Sequence, residues 1–446
     1  MGEPKPKARA KKRRPTTSGL ALLGGAPAVR RKAPPWPLID AAVVRAVAAA
    51  LKHESLSPLT GGVPGRFEKS FAQYHKAKYA LMVNGGTAAL HLGLAACGIE
   101  PGDEVITSPY SWGATTGCIL HHNAVPVYAD IDPDTLCLDP KRIPERITDR
   151  TKAILPVHIY GMPADMGPIM QIARKYGLMV VEDCAQAAGA RYRNRLVGTL
   201  GDVGAFSLQA SKNLVAGEGG ILITSDSKAY QRAVAFGTHP VRMRAELKAP
   251  ELIRYIDSLG FNFRPHPLGA AIAEAQLPLL AKWVRDKNRN FDRLFRRLAG
   301  VVELHGARFM NAHKGIVHGF HMAPLNVVHP ELKGLPRSVI AEALRAEGMP
   351  VGGYVGTPIP LRARFRDLLF YGRGCPWTCR HSLRLPDYSA GNWPVAEHLC
   401  KEGELILFGN YYEPDFTLMD QFAAAVGKLV DNLDALRARA QGHRPK

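Results

Sequence analysis

Long apolar runs and a cysteine framework are both missing from this 446-residue sequence. No stretch of about 18 apolar residues occurs, which is the least that a transmembrane helix needs, so we expect none. The apolar segment Leu20–Leu23 that follows the basic amino terminus is shorter than the roughly 7–15 residues of a secretion signal. The seven cysteines are odd in number and scattered, unlike those of a disulfide-stabilised protein. These absences predict a cytoplasmic protein.

Acidic residues are few relative to basic ones. The chain carries 58 Lys and Arg against 39 Asp and Glu, a formal net charge of +19. Residues 1–14 alone hold seven Lys and Arg against one acid, Glu3, and the rest of the excess is spread along the chain. Because residues 1–18 are charged and of low complexity, we predict a disordered basic tail. Its expected role is that of a solubilising terminus, with attachment to nucleic acid or a membrane surface as the alternative.

The order of the predicted elements indicates the fold class. Short, nearly continuous apolar strands alternate with helices between residues 79 and 224. Such alternation predicts an α/β fold whose mainly parallel sheet is covered by helices on both faces. Since a chain of this length needs more than one core, we assign residues 19–285 to a large α/β domain with an N-terminal arm. Residues 286–440 are assigned to a smaller C-terminal α+β domain.

A lysine just past the end of a strand is the centre of the functional prediction. Residues 179–183 are predicted to form a strand ending in the carboxylate of Asp183, and residues 202–209 form another, with Lys212 beyond it. Ligands of open α/β sheets bind outside the carboxyl ends of the strands. One edge of the sheet would thus hold an amine for a Schiff base and an acid for a pyridinium nitrogen. That set suits pyridoxal phosphate.

Other residues are predicted to lie at the same edge. Gly86 and Thr87 stand between a strand and a helix, where a glycine turn offers backbone N–H groups to a phosphate. The alternative is an ordinary turn with Thr87 as the N-cap of the helix. Trp112 follows the strand at 104–107, where it would either stack on a planar ring or serve as a core residue. Farther along the chain, Asn262 is predicted to open a helix.

Two cysteines in the C-terminal half raise the alternative of a metal site. Cys375 and Cys379 are followed by His381, but no second cysteine pair or closely spaced pair of histidines accompanies them. We therefore predict no metal there and interpret the segment as an ordered surface insertion.

Several segments together make the chain resemble the DegT/DnrJ/EryC1/StrS family of sugar aminotransferases, which are pyridoxal phosphate enzymes of fold type I. The resemblance covers roughly residues 20–435, although each segment is weakly specific alone. The matching segments are 84–90 (NGGTAAL), 101–106 (PGDEVI), 126–133 (PVYADIDP), 156–161 (PVHIYG), 182–186 (EDCAQ), 207–213 (SLQASKN), 217–220 (GEGG) and 260–264 (GFNFR).

The resemblance implies which residues hold the cofactor ring. It makes Lys212 the Schiff-base lysine and Asp183 the partner of the pyridinium nitrogen. It makes Gln186 a ring contact and Trp112 the aromatic residue that stacks on the ring. Both catalytic residues, Lys212 and Asp183, are therefore also cofactor contacts.

The resemblance also implies how the phosphate is held. Gly86, Thr87 and Ser207 match the family's phosphate contacts within one chain. Asn262 matches a residue that reaches the phosphate of the partner subunit. The family pattern thus implies a homodimer with shared active sites.

The presence of Lys212 favours transamination, because relatives with histidine at this position carry out dehydration or deoxygenation. The resemblance implies transfer of an amino group from glutamate or glutamine to a nucleotide-linked keto-sugar or a keto-cyclitol, in sugar, antibiotic or cell-surface polysaccharide biosynthesis. One alternative is a pyridoxal phosphate-dependent dehydratase or lyase of the same fold. Another is a catalytically silent regulator that binds nucleic acid. The substrate stays open because residues 349–400 match the family least.

Overall fold

The structure, a computed structural model, describes residues 19–254, 256, 260–299, 301, 303–304, 315–325, 327–328, 334–378, 380–382, 385–402 and 404–442. The predicted tail at residues 1–18 and Cys379 lie outside these ranges, so the predictions for them stay predictions. Among the residues that are described, no helix has both the length and the apolar character needed to cross a membrane.

Helices and strands alternate through the first part of the chain, as predicted. The helices are α1 (Ala41–His53), α2 (Gly62–His75), α3 (Gly86–Ala96), α4 (Gly113–His121), α5 (Met166–Tyr176), α6 (Ser227–Gly237), α7 (Pro240–Glu246), α8 (Pro250–Ile253) and α9 (Pro267–Gln276). The strands are β1 (Tyr79–Val83), β2 (Glu104–Thr107), β3 (Val125–Tyr128), β4 (Thr151–Leu155), β5 (Met179–Asp183), β6 (Arg191–Tyr192), β7 (Arg195–Leu196), β8 (Val203–Ser207) and β9 (Gly220–Thr224).

Local sequence signals explain several helix ends. The carboxylate of Asp40 accepts hydrogen bonds from the backbone N–H groups of Ala42 and Val43, so it caps the first turn of α1. Gly177 ends α5 in the left-handed region with a φ of 66°, a conformation that glycine adopts without steric cost. These ends follow from short-range chemistry, because each capping residue directly adjoins its helix.

Seven strands form the central sheet, in the order β1-β9-β8-β5-β4-β2-β3. The neighbours from β8 to β3 pair in parallel, whereas β9 runs antiparallel to both β1 and β8. Since β9 is antiparallel to both, β1 and β8 run in the same direction. The carboxyl ends of β1, β2, β5 and β8 therefore lie along one edge. The predicted mainly parallel sheet is confirmed.

Helices cover both faces of this sheet. In β1, Leu81 and Val83 belong to one apolar cluster, whereas Ala80 and Met82 belong to another. This alternation follows from the two-residue period of a strand. The first cluster includes apolar residues of α3, α4 and α5, and the second includes those of α2 and α9. The predicted three-layer arrangement is confirmed.

A smaller set of α and β elements follows. They are α10 (Leu280–Leu298), β10 (Glu303–Leu304), β11 (Ala323–Pro324), β12 (Val327–Val328), α11 (Arg337–Ala346), β13 (Val351–Gly352), α12 (Ala363–Arg366), α13 (Pro394–Glu402), β14 (Ile406–Leu407), α14 (Phe416–Asp431) and α15 (Leu433–Gly442). Strand β14 pairs antiparallel with both β11 and β13, and a separate apolar cluster joins α10, α11 and α14. These are α+β elements, while the boundaries of the domains stay a prediction.

The N-terminal arm begins on this separate cluster. Leu20 is fully buried in it, and the buried carboxylate of Glu347 accepts hydrogen bonds from the backbone N–H groups of Ala21 (2.7 Å) and Ala28 (2.8 Å). The ammonium group of Lys428 lies 2.9 Å from the same carboxylate. Because this buried ion pair also satisfies backbone groups of the arm, it fixes the path of the arm toward the central sheet.

The segment around Cys375 is more than a surface insertion. Trp377 is 1% exposed, and its indole N–H donates to the hydroxyl of Tyr388 at 3.0 Å. That hydroxyl in turn donates to the carbonyl oxygen of Pro126 at 2.7 Å. The segment therefore packs into the large apolar cluster, because an aromatic residue of this size is stabilised by burial.

Candidate active site

Three strand ends bring the predicted residues together. The register pairs Val83 with Gly220 and Gly220 with Ser207, so the ends of β1 and β8 flank the start of β9. Asp183, the last residue of β5, pairs with Ala205 of β8. The predicted convergence on one edge of the sheet is confirmed.

Asp183 is a buried carboxylate held by two hydrogen bonds. It is 4% exposed, Oδ2 accepts from the hydroxyl of Thr115 at 2.8 Å, and Oδ1 accepts from the backbone N–H of Ala185 at 3.1 Å. Burial raises the pKa of this carboxyl, while these hydrogen bonds and the charge of Lys212 act in the opposite direction. A cationic group beside Asp183 would offset the cost of burying its charge.

Lys212 lies in the turn that follows β8. Its backbone N–H donates to the carbonyl oxygen of Gln209 at 2.8 Å, and its Nζ lies 3.5 Å from Nε2 of His321. Burial lowers the pKa of the Lys212 amine to about 8, although the charge of Asp183 opposes that change. Burial and the charge of Lys212 also lower the pKa of His321, which is therefore neutral. A lysine with such a pKa is partly in its nucleophilic, neutral form near neutral pH.

Gly86 packs closely against Ser207. A Cβ placed at Gly86 would lie 2.7 Å from Cβ and 3.1 Å from Oγ of Ser207, so no side chain fits there. Helix α3 begins at Gly86 and its N-cap is Gly85, so the alternative of Thr87 as N-cap is wrong. This close approach brings the first N–H groups of α3 next to the Ser207 hydroxyl, and donors grouped in this way suit a phosphate group.

Gln186 is oriented by hydrogen bonds at both ends of its amide. Oε1 accepts from the backbone N–H of Tyr160 at 2.6 Å, and Nε2 donates to the hydroxyl of Tyr354 at 2.9 Å. The ring of Tyr354 lies 6.4 Å from that of Trp112. Trp112 is 64% exposed, so the alternative that it is a core residue is wrong. Its stacking on a cofactor ring stays a prediction.

The prediction that Asn262 opens a helix is wrong. Asn262 is exposed and has a φ of 47°, and α9 begins later, at Pro267, with His266 as its cap. Pro265 explains this result, because the residue before a proline avoids helical geometry, and Pro267 suits the first position of a helix. The carbonyl oxygen of Phe263 accepts a hydrogen bond from the backbone N–H of Asn84, so the segment borders the loop after β1.

Lys287 is a buried amine beside the site, and it was not predicted from the sequence. It is 1% exposed, and its Nζ donates to Oδ1 of Asn213 at 2.7 Å and to the carbonyl oxygen of Phe320 at 3.3 Å. Burial lowers the pKa of this amine to about 7. A signal was present, since Lys287 lies one helical turn from both Trp283 and Phe291 on the apolar face of α10.

Other neighbours of the site gave no local signal. The indole N–H of Trp36 donates to the backbone carbonyl oxygen of Lys212 at 3.1 Å, which brings the N-terminal arm to the predicted catalytic lysine. His321 and Tyr354 come from the C-terminal half of the chain. Nothing in the sequence around these three residues places them at the site.

Glu182 and His158 form a structural pair next to Asp183. The carboxylate of Glu182 accepts hydrogen bonds from the backbone N–H groups of Gly198, Leu200 and Gly201, and it lies 3.0 Å from Nε2 of His158. Nδ1 of His158 accepts from the backbone N–H of Ala164 at 2.9 Å. Because protein groups already occupy these donors and acceptors, the pair positions the end of β5 rather than offering ligands to a metal.

Comparison with known proteins agrees with this geometry. The profile of the DegT/DnrJ/EryC1/StrS aminotransferase family matches residues 37–390. The chain is 33% identical over 433 residues to the putative L-glutamine:3-amino-2,3-dideoxy-scyllo-inosose aminotransferase of Micromonospora echinospora, covering 94% of this chain and 99% of that protein. It is 37% identical over 384 residues to the L-glutamine:2-deoxy-scyllo-inosose aminotransferase of Streptomyces fradiae, covering 84% and 87%.

A solved structure extends the comparison to the fold. The crystal structure of 3-amino-5-hydroxybenzoic acid synthase matches with a TM-score of 0.75 and 26% identity, covering 93% of this chain and 100% of that one. The mainly parallel sheet and its helices are therefore those of fold type I pyridoxal phosphate enzymes. The resemblance found in the sequence is confirmed, and the chain belongs to the DegT/DnrJ/EryC1/StrS aminotransferase family.

Proposed function

We propose that this protein is a pyridoxal phosphate-dependent aminotransferase that moves the amino group of glutamine or glutamate to a keto-cyclitol. The observation that carries the proposal is the convergence of a partly neutral amine, a buried carboxylate and a helix N-terminus packed against a serine at one edge of the sheet. These are Lys212, Asp183 and the start of α3 at Gly86, which lies against Ser207. The names of the two scyllo-inosose aminotransferases support the acceptor and the glutamine donor.

The residues of the site fit the cofactor group by group. The buried carboxylate of Asp183 would face the pyridinium nitrogen, and the amine of Lys212 would hold the reactive carbon. Gly86, Thr87 and Ser207 would hold the phosphate. Gln186 and Trp112 would contact the ring. When bound, pyridoxal phosphate accepts electrons from the substrate carbon that gains or loses the amino group.

Side chains of the protein would transfer protons at that carbon and keep the ring nitrogen protonated. Asp183 keeps its charge beside the cofactor and so favours a protonated ring nitrogen. Lys212 carries a proton on Nζ to and from the substrate carbon, a task that requires a neutral amine in part of the cycle. Neutral His321, 3.5 Å from that Nζ, accepts a hydrogen bond from it and so orients the amine.

The two halves of the reaction test this proposal separately. Protein loaded with pyridoxal phosphate should lose the absorbance of the aldehyde form when L-glutamine is added. Addition of 2-deoxy-scyllo-inosose should restore that absorbance, whereas a nucleotide-linked keto-sugar should not. Restoration by the nucleotide-linked sugar alone would overturn the cyclitol assignment. An aminobenzoate product formed without any donor would instead favour the dehydratase alternative.

We also propose that two subunits share each active site through Asn262, which is exposed and borders the loop after β1. Lys212→Ala and Asn262→Ala protein should each be strongly impaired alone. After subunit exchange, each mixed dimer should hold one site with both defects and one with neither, as two-fold symmetry requires. Activity per mixed dimer should therefore recover to about half of the normal value. No recovery despite proven exchange would place Asn262 in the site of its own subunit.

A further inference from the structure

Arg362 is a half-buried guanidinium whose charge is not matched by a carboxylate among the residues that the structure describes. Its Nε donates to the backbone carbonyl oxygen of Thr357 at 3.3 Å, which uses one of its five N–H donors. A guanidinium offers a planar fork of donors that matches a carboxylate in a bidentate way. Arg362 therefore has the capacity to bind a further anionic group.

The backbone fixes Arg362 at the wall of the active site. The backbone N–H of Ile359 donates to the carbonyl oxygen of Pro109 at 2.8 Å, and that of Arg362 donates to Ile359 at 3.1 Å. The turn that bears Arg362 is thus attached to the loop that leads to Trp112. Nη1 of Arg362 lies 3.7 Å from the position of a Cβ at Gly113, the residue after Trp112.

An electrostatic interaction relates the guanidinium to a second residue of this wall, Tyr354. Burial raises the pKa of the Tyr354 hydroxyl to about 12, and the charge of Arg362 acts in the opposite direction. Because such an effect requires proximity, the guanidinium of Arg362 lies near the hydroxyl of Tyr354. The same hydroxyl accepts a hydrogen bond from Gln186 and lies near Asp183. Arg362 therefore lies beside Gly113 and close enough to the Tyr354 hydroxyl, which holds Gln186, to act on its pKa.

The two substrates of the proposed reaction differ in charge. Glutamine and glutamate carry an α-carboxylate next to the carbon that loses the amino group, whereas a keto-cyclitol such as 2-deoxy-scyllo-inosose carries no anionic group. A cation at the wall of a site that serves both substrates can distinguish them, because only one of them offers it a partner.

We propose that Arg362 binds the α-carboxylate of the amino-acid donor. This inference rests on the proposed function, and it assigns Arg362 to one half-reaction only. The donor would be held by the guanidinium, and the acceptor would be bound by neutral hydrogen-bonding groups. Arg362 would thus determine the specificity for the donor.

The test compares the two half-reactions in Arg362→Met, which keeps an unbranched stem about as long as that of arginine up to Nε and removes the charge. Single-turnover absorbance of the loaded protein gives an apparent Kd for L-glutamine and, in the reverse direction, for the amino-cyclitol. The Kd for L-glutamine should rise about 10- to 100-fold, as expected for a lost hydrogen bond to a charged group. The Kd for the amino-cyclitol should not change. Arg364→Met is the matched control, since Arg364 is exposed on the same segment, and it should behave like the wild type.

Two ligands separate carboxylate binding from other effects. 4-Aminobutanamide is glutamine without its α-carboxylate, so it should react equally weakly with the wild type and with Arg362→Met. 4-Carbamoylbutanoate keeps the carboxylate but lacks the amino group, and calorimetry should detect its binding to the wild type alone. Arg362→Lys retains a charge without the planar fork, so its affinity for L-glutamine should lie between those of the wild type and Arg362→Met.

Three results would overturn the assignment. The first is an unchanged Kd for L-glutamine in Arg362→Met. The second is equal weakening of both half-reactions, which would mean that Arg362 supports the wall of the site. The third is weakening that is confined to a nucleotide-linked acceptor, which would make Arg362 a phosphate contact. Failure of the proposed function is a different result, because then the wild-type protein would not react with any donor.

Discussion

Replacement of Lys212 with alanine should reduce turnover by at least about 10²–10⁴-fold, since the proton carrier at the substrate carbon is lost. The fold and the cofactor site should persist, because the side chain of Lys212 makes no hydrogen bond other than the 3.5 Å contact with His321 within the described structure. Turnover with L-glutamine and 2-deoxy-scyllo-inosose measures the loss. Lys228→Ala, at a side chain that is 61% exposed on α6, should match the wild type.

Chemical trapping identifies the lysine independently of turnover. Wild-type protein should be yellow, and borohydride should attach the cofactor to the peptide that contains Lys212. Lys287 is a second lysine that could react with the cofactor, because burial lowers the pKa of its amine to about 7. Its Nζ is directed to Asn213 and Phe320 rather than to Asp183. Attachment at Lys287 or at any other lysine would show that the assignment of Lys212 is wrong.

The mainly parallel α/β fold was predictable because its signals are local. Strand β1 alternates its apolar side chains between two clusters, and Asp40 and Gly177 mark helix ends within a few residues of the helices concerned. The convergence of Asp183 and Ser207 followed from one rule, that parallel strands end at a common edge of the sheet. None of these features depends on recognising a distant contact.

The surroundings of the site were not predictable, because they depend on distant contacts. Trp36 reaches Lys212 from 176 positions away, and Tyr354 reaches Gln186 from 168 positions away. Hydrophobic period and turn chemistry act over a few residues, so they do not specify such pairs. The helix prediction at Asn262 failed for a local reason instead. It overlooked the two prolines that follow this residue within the next five positions.

Replacement of Asp183 with asparagine should lower the rate of the half-reaction with L-glutamine by orders of magnitude and leave the fold intact. A neutral amide no longer favours the protonated ring nitrogen, so the cofactor accepts electrons poorly. The stability of the protein without cofactor should not fall, because burial raises the pKa of this carboxyl and the amide removes a buried charge.

Two measurements separate the role of the Asp183 charge from its role in packing. Thermal unfolding of the cofactor-free protein should give the same or a higher Tm for Asp183→Asn, while single-turnover absorbance reports the slow reaction. Thr115→Val removes the 2.8 Å hydrogen bond to Oδ2 but keeps the carboxylate, so its rate should fall much less. A near-normal rate for Asp183→Asn, or an equal loss in Thr115→Val, would show that the carboxylate serves the structure of the strand end and does not tune the cofactor.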